Sequence, residues 1–272
     1  MMIMRFAVLA VAAGLLAGCG PTTQTTSGAQ YLAAYDSGAG EASATDVEIA
    51  AAANVEPQLR FPARIGLARI GAQGLEAVPQ AEAYAWGGLA ERLGGGYGTF
   101  VPVSPLIAAL ATPETAQQPP AQACGYFGCR ENAADRLAQV VRQVRLGAAR
   151  QHLDAVLIYE TSGRSAESSN PLAVTKLALI GFFLPTESVE ADGFAQAVLV
   201  DVRNGYTNGT ASAVAEKPSH RLTTVSDSED AHAAARREAE ARAVTALSGE
   251  VEAMVRDLRL ALAEKRAAEG PD

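Results

Sequence analysis

The sequence has few residues of the kinds that catalytic and metal sites use. Its 272 residues include 3 cysteines and 3 histidines. The histidines, His152, His220 and His232, are far apart, and neither Gly-x-Ser-x-Gly nor His-Glu-x-x-His occurs. Acids surround His232, but acids are also favoured in the first turn of any helix. We therefore expect a non-catalytic protein without a metal or cofactor, and the alternative is an enzyme whose site has no recognisable motif.

Positive charge is also scarce. The chain has 22 Lys and Arg against 30 Asp and Glu, which gives a net charge of −8. Binding to nucleic acid requires clustered basic residues that neutralise phosphates. Adhesion to anionic lipid requires the same excess of positive charge. The composition therefore argues against nucleic acid as the main partner and against electrostatic attachment to a membrane.

A hydrophobic run long enough for a transmembrane helix is absent from the start of the chain. Arg5 precedes an apolar run over residues 6–16, which is shorter than the ~20 residues of a membrane span. Leu16-Ala17-Gly18-Cys19 follows, so residues 1–18 are predicted to be a cleaved signal peptide. This motif resembles the bacterial lipobox, which implies lipidation of Cys19 and a membrane anchor. Gly20, rather than Asp, follows the cysteine, and this resemblance implies the periplasmic face of the outer membrane.

Lipidation of Cys19 would leave Cys124 and Cys129 as an even pair in an oxidising compartment. We predict a disulfide between them that closes a proline-rich loop. The redox-active alternative is less favoured because the spacing is C-x4-C, whereas thioredoxin-like sites have C-x-x-C.

The remaining pattern predicts one α/β (α+β) domain over residues 55–266, preceded by a lipidated cysteine and flexible tether over 19–54 and followed by a disordered tail over 267–272. Its predicted order is strand, helix, strand, helix, strand, a three-strand antiparallel meander and a long terminal helix, which indicates a single mixed sheet. The meander is predicted as strands over 172–184, 194–203 and 206–216, after a polar loop over 161–171 and with a turn over 185–193. Helix 79–93 is predicted to bury Tyr84, Trp86, Leu89 and Leu93, and helix 131–151 is predicted to turn Leu137 inward. In the terminal helix, apolar residues recur at steps of three and four and predict a buried face: Val244, Leu247, Val251, Met254, Leu258 and Leu262.

Three segments, 63–70, 154–158 and 197–205, carry a second resemblance. The last contains Asp201-Val202-Arg203-Asn204-Gly205 and resembles the strand, Asp-x-Arg-x-Gly turn and strand of periplasmic domains similar to the TolB amino-terminal domain, the curli secretion-channel lipoprotein and the activator lipoproteins of penicillin-binding proteins. The resemblance implies a binding, scaffold or assembly role and an envelope protein partner, with a homo-oligomer as an alternative state. A subunit of an outer-membrane secretion assembly is the further alternative. Residues 172–184 are apolar on both faces, whereas a pore strand is polar on one.

These assignments predict that none of the three cysteines is a free thiol in the mature protein. Thiol labelling of denatured, unreduced protein should modify no cysteine, and labelling after reduction should modify Cys124 and Cys129 but not the thioether-linked Cys19. Labelling of Cys124 and Cys129 before reduction would contradict the disulfide, and labelling of Cys19 would contradict lipidation.

Overall fold

The structure is a computed structural model, and it describes residues 20–35, 43–111, 133–169, 187–215, 219–223 and 228–269. The predicted mixed α/β class is confirmed, with one mixed sheet, helices packed on it and a long C-terminal helix. The elements in order are β1 (Thr22–Thr23), α1 (Gly28–Tyr35), α2 (Ala44–Ala53), β2 (Ala63–Gly71), β3 (Gly74–Glu76), α3 (Gln80–Leu93), β4 (Gly98–Pro102), α4 (Pro105–Ala111), α5 (Ala133–Arg150), β5 (Ala155–Ser169), β6 (Glu187–Asp201), β7 (Thr207–Val214), β8 (Ser219–Thr223) and α6 (Ser228–Glu269).

The strands of the described ranges form a single sheet in the order β1-β7-β6-β5-β2-β3. In addition, β4 pairs with the first half of β2, and β8 pairs with the first part of β6. The pairs β2 with β4 and β2 with β5 are parallel, and the other pairs are antiparallel. Helix α3 lies in the connection that leads to β4, and α5 lies in the connection that leads to β5. Both connections bring the chain back to a strand parallel to β2.

The central strands β2 and β5 are apolar on both sides, so both faces of the sheet must be covered at this point. Residues 155–159 of β5 are all buried. The face that we call the first face packs against α3 and α6. The opposite, second face packs against α5. Helix α4 lies against α5, where a Cβ on Gly147 would come within 2.7 Å of the Ala108 Cβ.

Helix α6 supplies most of the cover on the first face. As predicted, its apolar residues recur at steps of three and four, and they are buried against the sheet: Val244, Leu247, Val251, Met254, Leu258 and Leu262. Near its start α6 places the small residues Ala235 and Ala239 against the buried Ala191. There the backbones approach closely, since a Cβ on Gly193 would lie 2.2 Å from the Ala239 carbonyl oxygen.

The meander differs from the prediction. It consists of β5, β6 and β7, and the predicted strand over 172–184 lies outside the described residues. The predicted loop over 161–171 is strand as far as Ser169, and the predicted turn over 185–193 is strand from Glu187. The long pairing of β5 with β6 explains the error, because a strand segment outside the core can be polar on both faces and still be held by its ladder of hydrogen bonds.

Helix α3 follows its prediction except at one side chain. Trp86, Leu89 and Leu93 are buried, but Tyr84 is 72% exposed. Tyr84 lies two residues before Trp86 and therefore points about 200° away around the helix. The residue that completes the buried face is Glu82, four residues before Trp86.

The segment predicted as a flexible tether is attached to the domain. Thr22 and Thr23 pair with β7 in antiparallel register. The Gln24 N–H donates to the Asn208 carbonyl at 2.8 Å, and the Tyr206 hydroxyl donates to the Thr26 carbonyl at 2.8 Å. The chain then forms α1 and α2. At the other terminus α6 continues to Glu269, so part of the predicted tail over 267–272 is helical. No helix within the described ranges has the length and apolarity needed to cross a membrane.

Candidate functional site

The residues with predicted roles are distributed as follows. Cys19, Cys124 and Cys129 lie outside the described residues, so lipidation and the disulfide stay predictions. His152 is exposed, in a tight turn at φ 57°. The side chain of His220 is also outside the described set. Among the side chains that the structure describes, no group of three or more His, Cys, Asp or Glu could hold a metal ion.

A cluster of charged residues lies between the first face and helix α3, and we call it the Arg69 cluster. Arg69 occupies the core-facing parity of β2, two residues after Leu67, and Glu82 occupies the buried stripe of α3. The Arg69 Nε donates to Glu82 Oε1 at 3.1 Å. The Tyr159 hydroxyl donates to Glu82 Oε2 at 2.8 Å. Both carboxylate oxygens of Glu82 are therefore bound within the protein.

The same guanidinium joins three further elements. Its Nη1 donates to Glu76 of β3, and its Nη2 donates to the Thr161 hydroxyl of β5 at 3.1 Å. The Glu240 carboxylate of α6 is 3.5 Å from Nη2. One guanidinium thus contacts three carboxylates that come from β3, α3 and α6, which makes Arg69 the residue on which the cluster depends.

Burial controls the electrostatics of this cluster. The pKa of the Glu82 carboxyl is raised above its usual value because burial disfavours the charged form, although hydrogen bonds from Tyr159 and Arg69 oppose the increase. The pKa of Tyr159 is also raised, first by burial and then by the nearby Glu82 charge. The Tyr159 ring packs edge-on against Trp86 at 5.1 Å between centroids. The hydrogen bonds of Arg69, Glu82 and Tyr159 thus join α3, β2 and β5, while the Glu76 side chain at the edge of the cluster is 35% exposed.

An open groove of about 490 Å³ lies on the second face, and we call it the second-face groove. Its apolar floor includes Ile70, Ile158 and Val198, and its wall includes Leu137 and Val141 of α5. Leu137, which the sequence pattern placed inward, is 52% exposed because α5 covers only part of this face.

Polar residues line one side of the groove. Glu160 of β5 and Gln196 of β6 are hydrogen-bonded side by side, and Thr210 and Ser212 continue the same face on β7. Gly20 also lines the groove. The register of β1 places Gly20 beside Ser212, because Thr22 is opposite Thr210 in an antiparallel pair. The groove therefore combines an apolar floor, hydrogen-bonding groups at its side and the backbone of Gly20.

Comparisons with known proteins identify no relative for this chain: no family model, no curated protein and no solved structure matches it.

Sequence reasoning did not identify either the Arg69 cluster or the groove. A signal for the cluster was present, since Arg69 continues the alternation of Ile65 and Leu67, and Glu82 is in step with Trp86. A charged residue at a core-facing position of two neighbouring elements indicates a buried ion pair. The groove had no comparable local signal, because it results from the incomplete cover of a sheet whose strands are distant in sequence.

The Arg69 cluster makes a prediction about pH-dependent stability. Arg69→Met should reduce the free energy of unfolding by roughly 3–5 kcal/mol at pH 7, because it leaves Glu82 buried without its cation. The loss should be smaller at pH 5, because the pKa of the Glu82 carboxyl is raised in the folded protein. Such a carboxyl contributes stability that is fully present below its unfolded pKa and is lost as pH rises through its folded pKa. Urea unfolding at both pH values measures this.

Arg64→Met is the matched control, since Arg64 is an exposed residue of the same strand. Its effect should be within about 0.5 kcal/mol at both pH values. Equal losses for Arg69→Met at pH 7 and pH 5 would show that the Glu82 charge is not the cause of the destabilisation.

Proposed function

We propose that this protein is a lipid-anchored, non-catalytic binding or scaffold component of the bacterial envelope, held at the periplasmic face of the outer membrane. The sequence support is the Leu16-Ala17-Gly18-Cys19 motif. The structural observation that carries the proposal is the position of Gly20, which follows Cys19 in the sequence, lines the second-face groove and leads directly into β1.

This position makes the link to the membrane short. Three residue steps separate Cys19 from Thr22, and a chain of this length spans at most about 11 Å. The domain is therefore held against the lipid surface, with the groove next to its point of attachment. A tether of the full segment 19–54 would have given it a much wider range of positions.

The chemistry of the groove favours a peptide segment of a protein partner in the same membrane. A bound peptide presents apolar side chains together with backbone N–H and C=O groups. The groove offers both complements, in the apolar floor of Ile70, Ile158 and Val198 and in the polar side of Gln196 and Thr210. Confinement to the membrane raises the effective concentration of such a partner and compensates for a small contact area.

Release of β1 should move the domain away from the membrane. In Gly209→Ala the new Cβ would lie 2.5 Å from the Thr22 carbonyl oxygen and 2.9 Å from the Met254 Sδ of α6, so the β1 backbone and the Met254 side chain both have to shift. We expect energy transfer from Trp86, the only tryptophan, to an acceptor on lipid headgroups to fall relative to the wild type. The measurement uses lipidated protein in vesicles, with circular dichroism to confirm that the domain remains folded.

Two variants calibrate this measurement. Gly95→Ala should transfer energy as the wild type does, because no atom lies within 4 Å of the new Cβ. Cys19→Ala should not associate with the vesicles after a salt wash. Unchanged transfer in folded Gly209→Ala would contradict the short link, whereas membrane association of Cys19→Ala would contradict the anchor itself.

A photo-crosslinking residue at position 137 should capture a membrane protein in cells, because Leu137 forms the wall of the groove. The matched control is position 110 on α4, since Leu110 is 80% exposed but does not line the groove. We expect adducts at 137, none at 110, and fewer adducts at 137 in the Cys19→Ala background. Equal crosslinking at both positions would indicate nonspecific contact and would count against the groove as the binding surface.

A further inference from the structure

A second cleft, of about 640 Å³, gathers basic side chains from three parts of the chain. Arg60 comes from the segment before β2, Arg203 from the turn between β6 and β7, and Lys265 and Arg266 from the last turns of α6. Asp154, at the start of β5, is the one acidic residue among those that line the cleft in the described part of the chain. We call this site the basic cleft.

The turn between β6 and β7 fixes the backbone at Arg203. Asp201 is buried, and its Oδ1 accepts the Arg203 N–H at 2.8 Å. The Gly205 N–H donates to the Asp201 carbonyl at 3.0 Å, and Gly205 has φ 79°, a conformation that glycine adopts without strain. The Asn204-Gly205 pair therefore forms the tight turn that the sequence indicates, and this turn brings Arg203 to the edge of the cleft.

The single acid of the basic cleft does not neutralise it. Asp154 Oδ2 accepts the Arg64 backbone N–H at 2.9 Å, and its Oδ1 forms an ion pair with Arg203 at 2.6 Å. One carboxylate against four cations leaves a formal charge of +3. Glu56 lies near the cleft in sequence but is engaged elsewhere, since its carboxylate accepts the Ala29 N–H at 3.2 Å.

Structural roles account for part of the cluster but not for all of it. Basic residues in the last turns of a helix complement the helix dipole, which explains Lys265 and Arg266. Lys265 also donates to the Thr25 carbonyl at 3.2 Å. Arg60 is exposed and forms no hydrogen bond or ion pair with the residues that the structure describes. Its position beside three other cations is unfavourable by itself, in a chain with more acids than bases available for pairing.

We propose that the basic cleft binds an oxyanion of the phosphate class. Arginine forks donate paired N–H groups that match the oxygens of phosphate, and they do so more strongly than neutral donors. The volume of the cleft leaves room for a small polar group that carries the phosphate. Local positive potential in an otherwise acidic molecule concentrates such anions at this site.

The location of the basic cleft favours a soluble ligand over a lipid headgroup. Gly20 lies beside Ser212, and Arg203 precedes Thr207 at the other end of β7. Five residues of strand separate Ser212 from Thr207, which is about 17 Å. If the proposed anchor holds Gly20 at the membrane, the cleft lies away from that surface. The site itself does not depend on the anchor.

Calorimetric titration of the purified full chain, at low ionic strength, tests the proposal with two probes. Inorganic phosphate represents a soluble ligand, and glycerophosphoethanolamine represents the headgroup of a phospholipid. We expect saturable binding of inorganic phosphate with millimolar or tighter affinity, and weaker binding of the diester. Saturable binding of the diester alone would support a phosphate-class site but would identify a phospholipid headgroup, rather than a soluble anion, as its ligand.

Arg60→Gln is the decisive variant, because it removes a cleft cation that forms no hydrogen bond or ion pair within the described part of the chain. It should weaken phosphate binding about 10-fold, the effect of one lost charge-assisted hydrogen bond. Arg237→Gln is the control, since it removes the same charge from an exposed position of α6 about 42 Å away along the helix. Absence of saturable binding to both probes would overturn the proposal. Equal weakening by the two variants would also overturn it, because it would identify general charge attraction.

Discussion

The architecture follows from the need to cover β2 and β5 on both faces. These parallel neighbours carry apolar side chains on both sides, so neither face can be left to solvent at the centre of the sheet. Helix α6 crosses the first face from β8 to β1 and covers it along its length. On the second face α5 covers only the centre. Within the described ranges, Glu160, Gln196 and Ser212 lie on the same face beyond α5, and the second-face groove is the step between α5 and these strand residues.

Sequence reasoning identified the elements whose burial gives them a clear period. The stripe of α6 and the buried face of α3 at Trp86 and Leu89 were predicted because they repeat at helical spacing. The distal half of β5 was predicted as a loop because its sequence is polar and shows no apolar alternation. Pairing with β6 holds that segment in the sheet, and such long-range pairing leaves no trace in the local sequence.

The candidate sites were harder to predict because each is assembled from distant segments. Arg69 and Glu82 are 13 residues apart, and the contact of Arg69 with Glu240 of α6 forms only when the whole domain is folded. The four cations of the basic cleft come from three separate segments, and the net charge of −8 argued against nucleic acid and anionic lipid as partners. Net charge is a property of the whole molecule, whereas a ligand experiences the local field. A strongly acidic chain can therefore contain a site of positive potential.

Lys265 connects the two regions to which functions are proposed. Its ammonium group donates to the Thr25 carbonyl, which helps to hold the segment after β1, and the same residue lines the basic cleft. An ammonium group has three N–H donors, so one lysine can contribute to a backbone contact and to a ligand contact together. A change at Lys265 would consequently disturb both the attachment of β1 and the charge of the cleft. Among the described residues, Arg60 lines the cleft and forms no hydrogen bond or ion pair, and Gly209 packs against β1 and Met254 without lining the cleft. These two positions therefore allow the functions of the two ends to be separated.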